Sequence, residues 1–472
     1  MAFCNPLLRI RQITAALRRR ARPIAFLAGF LGGLAAVSGP AAAQGILLLR
    51  DTETERALRS YEDPLLKAGG LDPAGVKIYL VNDPSVNSFV AEGQNMFIQT
   101  GMIMFARNSL ELKGVMAHET GHIVAGHLTR DTAAIQKATI PMLLSMIIGV
   151  AAIAAGAGQA GMMIILGGQS VAEAQFNAFS RVQEATADQI AIKLLDKTHQ
   201  SSRGLLATFA RLADEEARAS NAMDAYASDH PMGRERVANL EQEVEQSPYK
   251  DVPEDPAVEH QYEMVQAKLA GYIEPLQALF DRYPPGDTSK MARYARAMAY
   301  SRKPDLPKAL AEINSLIKDE PNNPYFYEVL GQIYVSMAKA DLGAAAFQKS
   351  VDLMPDAPQL RVALGAAQLA TERPALAKPA LDNLKIALQQ EEQTEDDDSF
   401  AWYEAAQAYS LMGNEPMADL ATAERYYSVG AMGPAVQFAV RARGRLTQGS
   451  PDWQRANDIV AIALPAARQQ QR

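Results

Sequence analysis

The chain has 472 residues, 48% hydrophobic and 21% charged, with a formal net charge of −8. That is too long for one ordinary domain, too apolar for wholesale disorder and too acidic for a general nucleic-acid binder. A single cysteine, Cys4, excludes both a disulfide framework and a cysteine-rich zinc module; a metal site must draw on Asp, Glu and the six His, all between residues 118 and 260.

Residues 1–43 hold six Arg and no acid, then an apolar run from Ile24 to Val37, then Gly39-Pro40-Ala41-Ala42-Ala43-Gln44. This layout predicts a cleaved secretory signal peptide ending near Ala43 and an exported chain. An uncleaved anchor helix is disfavoured by Gly29, Gly32 and Gly33, and an organellar presequence is the weaker alternative. Without those six Arg and Cys4, the net charge of −8 becomes −14 and no cysteine remains.

Residues 51–70 read as a helix with Leu58, Tyr61, Leu65 and Leu66 on one face. Residues 76–82, 86–91 and 95–100 read as short strands. Asn108 or Ser109 caps the next helix, with Glu111 in its first turn. Strands followed by long helices predict an α+β domain over residues 44–250. Residues 138–172 carry no charge, and Gly156, Gly158 and Gly161 divide them into two apolar arms. Each arm is short for a ~30 Å hydrocarbon core, which favours a soluble or interfacial hairpin, acting as a lid or peripheral membrane contact, over a membrane-inserted one. Helices are expected again over 173–197 and 205–222.

Beyond residue 250 the sequence repeats. Ala297, Gly331 and Gly365 are 34 apart, as are Ala309, Gly343 and Ala377, and Pro321 and Pro355. This is the period of a tetratricopeptide repeat and predicts an all-α solenoid over 251–472, suited to peptide or protein partners. Its acidic insert, Glu391 to Asp398, reads as a solvated loop.

The chemistry concentrates in His118-Glu119-Thr120-Gly121-His122. On a helix the two His lie about 40° apart and can grip one Zn2+ per chain, with Glu119 about 100° round, placed to deprotonate an activated water. Glu184 and Asp188 share a face of an otherwise apolar helix. Glu184 is the candidate third ligand, and Asp188 the carboxylate that holds the far N–H of a ligand His. His127, nine residues beyond His118, is expected to face away.

HExxH, a Gly/Ala/Met-rich segment, ExxxD and Ser228-Asp229-His230-Pro231, in that order, resemble the HtpX/CAAX-endopeptidase type of gluzincin zinc metallopeptidase over about residues 50 to 245. The resemblance implies His118, His122 and Glu184 as ligands and Glu119 as general base. It implies His230 as a fourth ligand or oxyanion donor, and Arg236, or less readily Arg234, as the family's following arginine. Asn87-Ser88-Phe89 matches the family's N-x-F strand, although Gly93 is followed by Gln94 where the family often pairs glycines. The strand Asn95, Met96, Phe97, Ile98 is expected to pair with extended substrate. The implied substrates are misfolded or misassembled polypeptides, among them outer-membrane β-barrel precursors, with their assembly machinery as a partner of the repeats. Alternatives are a chaperone or scaffold with latent protease activity, and an integral-membrane quality-control protease.

Overall fold

The computed structural model describes residues 47–91, 94–127, 180–218, 230, 232–303, 305–392 and 399–470. The export signal, the apolar hairpin at 138–172, Ser228, Asp229 and Pro231, and Glu395 to Asp398 lie outside the described residues. The chain divides into two compact units between Leu269 and Ala270, inside the helix Pro256–Ile273 and beyond the boundary expected at 250.

The first unit begins with α1, Thr52–Ala68. Asp51 caps it, its side chain accepting from the Thr54 N–H at 2.8 Å, while Glu55 reaches back to the Asp51 N–H at 3.0 Å. This reciprocal capping fixes the entry of the chain and sends Ala57, Leu58, Tyr61, Leu65 and Leu66 into the core. Three strands follow: β1, Lys77–Val81; β2, Ser88–Ala91; β3, Asn95–Gln99. Their order is β1-β3-β2, with β1 parallel and β2 antiparallel to β3. The expectation that Asn95 to Ile98 offers a free edge is therefore corrected. β3 is central and is bonded on both sides, and Thr100 already belongs to the next helix. Among the described residues, the edge beside it is β2. Register aligns Tyr79, Phe97 and Phe89 into a stacked ladder on one face, with centroids 5.0 and 4.9 Å apart. Met96, Ile98 and Leu80 fill the opposite, buried face.

After α2, Thr100–Phe105, comes α3, Ser109–Ala125. Asn108 is its cap, accepting from the Glu111 N–H at 3.0 Å. The helix is buried on nearly every side from Ser109 to Gly121 and ends at Gly126, whose φ of 64° gives the left-handed turn that stops a helix. Residues 180–197 form α4, followed by α5, Arg203–Arg218, and α6, Arg234–Gln246. The last part of the unit is the start of α7, Pro256–Ile273. Tyr262 donates its hydroxyl to the carbonyls of Ile103 and Ala106 at 2.7 and 3.0 Å. Lys268 is almost fully buried between Asp51 at 2.5 Å and Glu53 at 3.5 Å. Glu254 pairs with Lys113 at 2.6 Å, and Ser109 donates to Glu259 at 2.6 Å. No helix among the described residues is long and apolar enough to cross a membrane.

The second unit, as described, is helical throughout. After α8, Leu276–Arg282, come α9, Lys290–Arg302; α10, Leu306–Asp319; α11, Pro324–Ser336; α12, Ala340–Leu353; α13, Pro358–Ala370; α14, Ala377–Glu392; α15, Ser399–Leu411; α16, Glu415–Ser428; α17, Met432–Arg443; and α18, Pro451–Gln470. The first helices of three successive pairs start at 290, 324 and 358, one sequence period apart. Each helix packs on its neighbour in sequence, and α9 on α11, α13 on α15 and α16 on α18. At Gly331 an added Cβ would stand 2.8 Å from the Phe347 ring, and at Gly365 2.9 Å from Leu384, so the repeated glycine marks a close helix approach within each pair.

Candidate metal centre

α3 carries the HExxH segment across the floor of the first unit. Gly121 lets α4 come against it: a Cβ there would lie 2.6 Å from the Ala187 carbonyl oxygen. That approach sets Glu184 beside both helical His. Its carboxylate stands 3.4 Å from His118 Nε2 and 3.5 Å from His122 Nε2. The two imidazole nitrogens are 3.0 Å apart. His230 joins them, its Nδ1 3.3 Å from His118 Nε2 and 3.1 Å from Glu184 Oε2. One donor atom from each of the four residues lies within 4.8 Å of the others.

These distances test whether a metal ion fits. Around a tetrahedral zinc with bonds of about 2.0–2.1 Å, ligand atoms stand about 3.3 Å from one another. The contacts of 3.0–3.5 Å lie near that spacing, the whole set falls within 4.8 Å, and three imidazoles with one carboxylate are of that ligand class.

The surroundings hold the four groups in place. His118 Nδ1 is 2.9 Å from Asp188, the arrangement that orients a ligand imidazole through its far nitrogen. Arg236 grips Asp188 with Nε and Nη2, both at 2.8 Å, and Glu184 with Nη1 at 2.7 Å, its guanidinium lying over the Phe209 ring. Phe209 meets His118 edge-on at 5.1 Å. Arg236 thus stands behind the carboxylates, its three nitrogens turned to them.

The charges follow. Burial alone would raise Glu184, but its interactions with His230, His118 and Arg236 hold it well below the usual carboxylate range. Asp188 is lowered too, Arg236 overriding its burial. Burial opposes charge on His118, yet its bonds to Asp188 and Glu184 carry it up to about 9. His122 is pushed well down by burial and by the charge of His118.

Glu119 is fully buried on the flank of the cluster, its carboxylate raised by burial. Oε1 lies 3.6 Å from His230 Nε2 and accepts a bond from the Ser88 hydroxyl at 3.0 Å. Ser88 was not singled out by motif reasoning; its signal was its place inside the N-x-F strand. His127 corrects a second expectation. It does not face away, because α3 ends at Gly126 and the chain turns back, setting His127 Nδ1 3.0 Å from His122 Nδ1. Helical phase cannot be carried past a left-handed glycine. His199 stacks on Tyr249 at 4.4 Å, and His260 is exposed beside Glu263.

Comparison with known proteins agrees with this geometry. Residues 52–244 match Peptidase family M48. The chain is similar to the beta-barrel assembly-enhancing protease of Escherichia coli (strain K12), 23% identical over 79% of this chain and 75% of the relative. It is also similar to the mitochondrial metalloendopeptidase OMA1 of Schizosaccharomyces pombe, 25% identical over 38% of this chain and 49% of that one. Metalloprotease LoiP of E. coli is 29% identical over 36% of this chain and 62% of its own length. The span shared with OMA1 and LoiP is short, whereas the first relative is matched over most of the chain. Residues 52–244 thus match Peptidase family M48 in sequence and in donor set, and the chain is a metallopeptidase.

Proposed function

We propose that this chain is an exported, periplasmic zinc endopeptidase that removes misfolded or stalled envelope proteins, outer-membrane β-barrel precursors among them. The observation that carries the reading is the four-donor cluster of His118, His122, Glu184 and His230 with buried Glu119 at its flank. The name of the E. coli relative, similar over most of this chain, supports the choice of substrate class. In this reading residues 1–43 are the export signal.

His118, His122 and Glu184 would hold the ion, and Arg236 with Asp188 would keep Glu184 and His118 in their ligating orientations. The ion supplies Lewis-acid polarisation of the scissile carbonyl and acidification of water. Glu119 takes the proton of the attacking water and passes it to the leaving amine. With Arg236 committed to carboxylates, the oxyanion donor is His230. His230 would be a fourth donor at rest, which would keep the enzyme latent until substrate took its place. An extended peptide pairs with the β2 edge, which reads backbone more than sequence and suits non-native substrates. The helical second unit, read as tetratricopeptide repeats, binds substrate or the assembly machinery. Nucleic acid has no part in it.

The test is metal analysis with casein cleavage for the chain lacking residues 1–43, beside its Glu119→Gln variant. Stoichiometric zinc in both and cleavage only in the parent supports the reading; no bound metal sinks it. A His230→Ala variant with unchanged proteolysis and zinc content would remove the latency step alone.

A further inference from the structure

Ser88 lies on the edge strand, fully buried, and its hydroxyl donates to Glu119 Oε1 at 3.0 Å. The other oxygen of that carboxylate, Oε2, is buried with no hydrogen-bond partner among the described residues. One oxygen is thus anchored by a donor, and the other is left for the reacting water. A carboxylate turning about its own side-chain bonds loses its aim; an anchored one keeps it.

The backbone adds a second observation. The Gln99 N–H donates to the Asn87 carbonyl at 3.2 Å, so Asn87 and Gln99 form a hydrogen-bonded pair of the β2–β3 ladder. Alternation then turns the N–H and C=O of Ser88 away from β3, toward the outer edge. One residue therefore presents its backbone where an extended peptide would pair, and its hydroxyl to the carboxylate that handles the proton.

We infer that Ser88 is a positioning residue: it aims Glu119 and ties the seating of a peptide on the β2 edge to the orientation of the base. The inference rests on the peptidase reading above. Thr is the substitution that keeps the hydroxyl and suits a strand. Ala leaves Glu119 Oε1 without its donor.

The experiment compares the full zinc-loaded chain with its Ser88→Ala, Ser88→Thr and Glu119→Gln variants. The substrate is an internally quenched casein-derived peptide, with zinc content and unfolding temperature measured on each. For Ser88→Ala, kcat is expected to fall about ten- to a hundredfold. KM, zinc content and unfolding temperature stay at parental values, and Ser88→Thr recovers most of the rate. Unchanged kcat, a rise in KM alone, or a loss explained by zinc release or unfolding overturns the inference. Parental cleavage that is abolished by Glu119→Gln but untouched by Ser88→Ala sinks this inference alone. A parent without zinc-dependent cleavage sinks the peptidase reading and the inference together.

Discussion

The two units are filled with different material. The core of the first unit holds charge: His118, Glu119, Glu184, Asp188, Glu62 and Lys268 are all nearly or fully buried, with His118 held by Glu184 and Asp188 and Lys268 by Asp51. The second buries some charge too, Arg296 against Glu312 and Glu424 against Arg455, but it is filled mainly by shape, with Ala387, Ala405, Ala408, Ala421, Ala439 and Ala463 at helix contacts and Gly331 against Phe347. A buried charge needs one particular partner, so loss of a single group leaves another stranded. A small residue at a helix crossing needs only room, and neighbouring pairs share any strain. The first unit should therefore fail in steps of chemistry and the second in graded steps of packing.

The largest expected effect is chemical. Glu119→Gln should lower kcat by at least about a hundredfold, the scale of general base catalysis, with unfolding temperature unchanged. Steady-state cleavage beside calorimetry measures both, and activity persisting in this variant would end the comparison at its strongest point. Next, Arg236→Ala leaves Asp188 and Glu184 as buried carboxylates without their cation and should cost about 3–5 kcal/mol in denaturant unfolding, with zinc lost alongside. Arg236→Lys should recover little, since one ammonium cannot reproduce the two-point grip on Asp188. In the second unit, Gly331→Ala drives a methyl into Phe347 and should cost about 1–3 kcal/mol while casein cleavage stays at the parental rate. Equal losses of activity from Gly331→Ala and Arg236→Ala would erase the distinction between the units.

The smallest effect depends on pH. Glu62 is fully buried and accepts a bond from the Thr120 hydroxyl, and burial raises its carboxyl well above the ordinary value. A raised carboxyl is protonated in the folded chain at a pH where the unfolded chain has lost the proton. Its contribution to stability is thus full below the unfolded value, about 4.3, and drains away as pH rises toward the folded one. Glu62→Gln should raise the unfolding temperature at pH 8 and leave it nearly unchanged at pH 4, which melting curves at the two pH values would check. A gain of the same size at both would assign the effect to packing.

Much of the centre is legible in the sequence because helix phase is local. His118 and His122 share a face by spacing alone, and Glu184 stands out as a carboxylate on an apolar helix. The place of His230 came only from the family resemblance, and the structure brings it to the same cluster. Sheet order is not local. The three short strands carry no signal as strong as helix phase, although the unbroken apolar run of Met96, Phe97 and Ile98 fits a strand flanked on both sides better than an edge. The contact of His127 with His122 depends on one glycine, and Ser88 on Glu119 joins residues 31 apart that no period links.

The attachment of α7 has a consequence for how such chains can be recombined. By composition, residues 256–269 look like the first stretch of the helical array, yet their side chains complete the other fold. A chain cut at 250 would strand the Ile103 and Ala106 carbonyls that Tyr262 serves, and would leave Asp51, Glu53 and Lys113 without Lys268 and Glu254. The smallest piece that carries the whole first fold runs to Leu269. An exchange of arrays between relatives would preserve the peptidase only if the crossover fell beyond that residue, inside a helix and not in the proline-rich link before it.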